Sequence, residues 1–154
     1  MRRMSGLLLA GALMLLPVFS QDHGSVHARQ APPKLTFQGD IALWSVAIKP
    51  DKTAEFEDVI AKLKDALSKS ERPEAKQQAA GWKIMKGVKL PDGNIIYTHV
   101  IFPVVPEADY TIMQLIYEVV KDPAEQLKIF ENYKGAFAAN LGANMGTIVS
   151  DLGK

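Results

Sequence analysis

Three histidines occur in the chain, and His99 alone falls in a segment that can fold, Asn94–Phe102 (NIIYTHVIF). In an extended strand His99 shares a face with Tyr97, two residues earlier. A histidine so placed could act as a general base at the wall of an internal pocket. It could equally be a core or interface residue with both ring nitrogens satisfied. Trp44, Trp82, Tyr97, Tyr110 and Tyr117, with Met85 or Met113, could line a cavity for a flat apolar ligand. The same side chains are also what an ordinary core of this size uses.

Other chemistries lack their residues. The chain contains no cysteine, so disulfides, thiolate ligands and thiol nucleophiles are excluded. A single histidine without clustered carboxylates does not make a zinc site. Glu55, Glu57 and Asp58 fall at the start of an expected helix, where acids favour the dipole. Glu107 and Asp109 flank a cap, and Glu118 has no acidic partner nearby. Ser45, Ser68, Ser70 and Ser150 lack the glycine context of a nucleophile elbow. No glycine-rich phosphate loop follows a strand. With 18 basic and 17 acidic residues and no basic block, nucleic acid is not an expected partner.

Before the domain the chain carries an export signature. Met1–Met4 (MRRM) is basic, and Leu7–Phe19 is an apolar run of 13 residues. A spanning helix needs about 20 apolar residues, so this run is short for one. A signal peptide over residues 1–20, cut before Gln21, fits better, with a second possible cut before Arg29. Removing Arg2 and Arg3 turns the net charge from +1 to −1. The expected destination is the periplasm or the exterior, with membrane attachment only if the signal stays uncleaved. Residues 21–38 read as a flexible polar spacer ending around two prolines, and they contain His23 and His27. Nothing in the spacer favours a helix that would bring those two together.

Residues 39–154 carry the periodic elements. Ile41–Lys49 reads as a strand that Pro50 stops. From Asp51 to Ser68, Phe56, Val59, Ile60, Leu63 and Leu67 form one helical stripe, with Asp51 or Thr53 available as cap. Ser70–Ala79 reads as a polar connection. Gly81–Leu90 and Asn94–Phe102 read as two strands joined at Pro91-Asp92-Gly93-Asn94 into a hairpin. A helix capped by Asp109 is expected near Tyr110, and Asp122-Pro123-Ala124-Glu125 restarts it. Leu127, Phe130, Phe137 and Leu141 extend that helix until Asn140 and Gly142 end it. A short last strand is expected at Asn144–Ser150.

This order, β-α-β-β-α-β, is the ferredoxin-like arrangement: an α+β fold with helices on one face of a four-stranded antiparallel sheet. The strands Ile41–Lys49 and Asn94–Phe102 are apolar on both faces, so the face without helices calls for a cover. A second copy about a two-fold axis supplies it most simply.

Three segments carry a family resemblance: the Trp44 strand, the start Gly81-Trp82-Lys83, and the run Phe102-Pro103-Val104-Val105-Pro106-Glu107-Ala108-Asp109-Tyr110. Over Ile41–Ser150 the chain resembles the dimeric α+β barrel superfamily, in texture most like its small exported bacterial proteins of unassigned role. The resemblance implies a homodimer paired through the open sheet face. Read from the residues, the expected role is binding of a small apolar or aromatic ligand, with Trp44, Trp82, Met85, Tyr97, Tyr110 and Tyr117 as candidate contacts, or that of a purely structural dimer. The superfamily includes cofactor-free monooxygenases, haem-dependent chlorite dismutases and peroxidases, and ligand-sensing domains. It therefore also implies an alternative, a small barrel enzyme using His99 as base or as axial haem ligand. The residues themselves call for no cofactor.

Overall fold

The computed structural model describes residues 33–153. The expected signal segment and the histidines of the expected spacer, His23 and His27, lie outside the described residues. Strand β1 (Ile41–Ile48) leads through a single 3-10 turn into helix α1 (Thr53–Lys69), and a short helix α2 (Ala75–Gly81) follows. Strands β2 (Trp82–Lys89) and β3 (Ile95–Ile101) form the hairpin. Helices α3 (Ile112–Tyr117) and α4 (Pro123–Ala136) precede the last strand, β4 (Phe137–Gly146). The sheet runs in the order β2-β3-β1-β4, antiparallel at every pairing. The fold is α+β and compatible with the ferredoxin-like plan.

Register assigns the faces. One row joins Trp44, His99 and Ile84; the next joins Ala42, Ile101 and Trp82; the third joins Val46, Tyr97 and Lys86. Ala42, Val46, Trp82, Tyr97, His99 and Ile101 are all buried, so this is the helix-covered face. Helix α1 supplies Phe56, Val59, Leu63, Ala66 and Leu67 to the layer above it. That is the expected stripe, except that Ile60 sits at its half-buried margin. On the opposite face Leu43 pairs with Val100, and Thr98 pairs with Ser45 on one side and Met85 on the other. Leu43 is 39% exposed, Phe102 46% and Met85 56%. A Ser45–Thr98 hydroxyl hydrogen bond of 3.0 Å crosses the middle of that face.

Several local expectations give way to tertiary contacts. Neither Asp51 nor Thr53 caps α1, which starts without any side-chain cap. The polar stretch 70–79 holds the start of α2, whose Ala75 and Gln78 are buried. Gln78 is held by donating to the Asp109 carbonyl at 2.9 Å and accepting from Arg72 at 3.1 Å. Asp109 does not cap a helix at Tyr110. Its carboxylate accepts from the backbone amides of Leu35 at 3.1 Å and Thr111 at 2.9 Å, and α3 begins only at Ile112. These bonds, with Phe37 buried at 5% exposure, make residues 35–37 part of the folded unit, ahead of the expected boundary at residue 39. The Asp122 start signal does what its sequence predicts: the carboxylate accepts from Ala124 N at 3.0 Å, with Pro123 in the first turn.

The largest correction concerns residues 137–146. Phe137 and Leu141 do not continue the helix, which ends at Ala136. The chain instead pairs along the whole of β1, with register shifts opposite Ser45/Val46 and Ala47/Ile48. Without that pairing β1 would be an edge with unpaired amides, and ladder hydrogen bonds outweigh the strong helix propensity of Ala138 and Ala139, which amounts to less than about 1 kcal/mol per residue. The buried side of α4 is Ile129 and Ala136, with Tyr133 packed beside them, whereas Leu127 and Phe130 face solvent.

Candidate functional site

His99 lies at the centre of the helix-covered face with none of its surface exposed. Strand β1 lays Trp44 over its ring, 4.5 Å between centroids and 25° between planes. Trp82, one row along on β2, donates its indole N–H to His99 Nδ1 at 3.1 Å. The next contacts run outward: Trp82 meets Tyr110 edge-on at 5.3 Å, and Tyr110 meets Phe37 at 5.2 Å. Such pairs contribute roughly 0.5–1.5 kcal/mol each beyond simple burial.

The Trp82 bond decides the chemistry of His99. An indole nitrogen can only donate, so Nδ1 must be the unprotonated, accepting nitrogen. In the neutral ring the proton then sits on Nε2. Burial lowers the His99 pKa to about 4, so the neutral form holds at ordinary pH. Nε2 is buried and has no hydrogen-bond partner among the described residues. His99 thus presents a buried donor, with no free lone pair to take a proton or bind a metal. Axial haem ligation does not fit either. It would need the Nε2 lone pair, and the proton moved to Nδ1 would face the Trp82 N–H. No group of three or more histidine or acidic side chains converges among the described residues.

The other sequence candidates scatter. Trp44 and Trp82 flank His99. Tyr97 is on the same face, but its hydroxyl donates to the Glu57 carboxylate. Tyr110 is fully buried, and its hydroxyl accepts from Val105 N at 2.9 Å. Tyr117 donates to the Gln126 carbonyl at 3.2 Å and ties α3 to α4. Met85 is on the opposite sheet face, away from His99. Trp82 lines one cleft and Tyr97 another, while Trp44, Tyr110 and Tyr117 pack in or against the core.

The concave feature lies beside them, at the β2 edge of the sheet. A cleft of about 290 Å³ is lined by Ile60, Leu63, Lys64 and Leu67 of α1, Ala79 of α2, and Trp82 and Ile84 of β2. Ile60 and Ile84 also line a second hollow of about 210 Å³, with Glu57, Lys86 and Tyr97. There Glu57 accepts from Lys86 Nζ at 2.8 Å and from the Tyr97 hydroxyl. The Lys86 contact, then the Tyr97 bond, hold the Glu57 pKa below its ordinary value. A larger depression of about 720 Å³ surrounds the α1–α2 connection, but its Arg72 is already paired with Glu74 at 2.9 Å and Glu118 at 3.0 Å.

Of the cleft residues, sequence reasoning names only Trp82 as a candidate contact. Ile60, Leu63 and Leu67 are visible as the α1 stripe, with nothing to mark them as a wall. Only the fold shows that this part of the stripe faces Trp82 and Ile84 of the edge strand β2 across a cleft. Glu57 reads as a helix-start acid because its partners, Lys86 and Tyr97, come from strands 29 and 40 residues away.

No helix among the described residues is long and apolar enough to cross a membrane. Comparison with protein-family models, curated proteins and solved structures finds no match. What the fold and site define is an α+β domain with an aromatic core around a neutral histidine and an apolar cleft at one sheet edge.

Proposed function

We propose that this protein is an exported homodimer that binds a small apolar or aromatic ligand without turning it over. The observation that carries the reading is the apolar cleft between α1, α2 and β2, floored by Trp82 and Ile84. Its size and lining suit a small ligand. The absence of catalysis rests on the Trp82–His99 bond, which occupies the lone pair a base would use. Pairing rests on the open sheet face, where Leu43, Met85 and Phe102 leave apolar surface for a second copy to cover. That arrangement would be the paired α+β barrel that the sequence resembles. Export rests on the basic start and the apolar run Leu7–Phe19.

The test is titration of the mature protein with an apolar fluorescent probe. Saturable binding that quenches Trp82, and that Ile84→Asp abolishes without changing the circular dichroism, is expected. No saturable binding would overturn the reading.

A further inference from the structure

Three lysines lie on α1. Lys62 reaches Glu125 at 3.7 Å, and Lys69 pairs with Asp65 at 2.8 Å. Lys64 has no carboxylate partner among the described residues, and it lines the apolar cleft between Leu63 and Leu67. At the other end, beyond Ile60 and Ile84, the charge of Lys86 is already matched by Glu57. The groove is therefore apolar along most of its lining, neutralised at the Glu57–Lys86 end, and carries one lysine without a carboxylate partner on its α1 wall, between Ile60 and Leu67. A bound anion gains nothing net from the neutralised Glu57–Lys86 pair and is attracted by the Lys64 ammonium. The lysine stem can lie along apolar surface while its head stays at the rim, where it meets a charged group without full desolvation.

We propose that the cleft takes monoanionic amphiphiles, such as a medium-chain or aryl carboxylate. The apolar body lies against Leu63, Leu67, Trp82 and Ile84, and the carboxylate meets Lys64. This rests on the reading of the cleft as the ligand site and adds the ligand's charge and orientation. One unpaired cation selects a single negative charge, and the cleft volume of about 290 Å³ suits a short body.

The experiment compares octanoate with octanol by calorimetry on the full mature chain, in the native sequence and in Lys64→Gln. A rim ion pair contributes up to about 1 kcal/mol, so octanoate should bind roughly five-fold more tightly than octanol. That preference should vanish in Lys64→Gln and shrink in high salt, with octanol affinity unchanged. Equal affinities in the native protein overturn the charge preference and leave the apolar cleft standing. A preference that survives Lys64→Gln overturns the assignment to Lys64. Binding of neither compound overturns both this proposal and the reading beneath it.

Discussion

Trp82 donates its indole hydrogen to His99 Nδ1 across 3.1 Å, inside a core where His99 has no exposed surface. This bond turns the chain's most obvious catalytic candidate into a fixed neutral tautomer. Its free N–H lies on Nε2, and Trp44 covers one face of its ring.

The tautomer can be read directly. Nitrogen-15 spectra of the imidazole should show Nε2 protonated and Nδ1 bare at neutral pH. In Trp82→Phe the donor is gone and Nδ1 is left buried without a partner, which costs roughly 1–3 kcal/mol of stability in urea unfolding. A native spectrum with the proton on Nδ1 would refute the assignment.

The same burial makes stability depend on pH. His99 has a folded pKa of about 4 against an ordinary 6.5, lowered by loss of hydration. The unfolded chain therefore takes up this proton first as pH falls. The contribution of His99 is whole above pH 6.5, declines as pH drops towards 4, and changes no further below that. The span corresponds to about 3 kcal/mol. Comparing native protein with His99→Leu isolates it from the carboxylates: the stability difference between the two should change by about that amount across this window. An unchanging difference would mean that the ring is hydrated in the folded state.

Pairing of the open face predicts a mature domain that is dimeric at micromolar concentration. In a two-fold interface each substitution appears twice. Leu43→Glu combined with Met85→Glu should yield monomers, since covering each such side chain is worth about 1.5–3 kcal/mol. Light scattering reports the mass, and circular dichroism should be unaltered. A monomeric native protein would sink the pairing.

Much of the fold is legible in the sequence where local signals agree with tertiary demand. The α1 stripe, the Pro91–Asn94 turn and the Asp122 start signal carry their geometry in a few adjacent residues. The passage 137–146 is not legible in this way. Its alanines suit a helix, and only β1, some 100 residues earlier, makes it a strand. His99 is visible as a candidate, but its role is set by Trp82, a partner on the neighbouring strand. Nor does the α1 pattern show which of its residues line the cleft beside β2.

Two glycines near β4 separate steric clash from backbone strain, and so test its placement. Gly39 and Gly142 have φ of +80° and +85°. A Cβ on Gly142 would meet nothing within 4 Å, so Gly142→Ala should lose only the conformational term, roughly 1–2 kcal/mol. A Cβ on Gly39 would lie 2.5 Å from the carbonyl oxygen of Gly146, which accepts the Asp40 amide at 2.8 Å. Gly39→Ala must therefore strain the backbone and also push apart the bond that joins the start of β1 to the end of β4. Its loss in urea unfolding should exceed that of Gly142→Ala by at least the ~1 kcal/mol of a hydrogen bond. Equal losses would mean that Gly146 does not close on Gly39 as described, and the register of β4 against β1 would have to be redrawn.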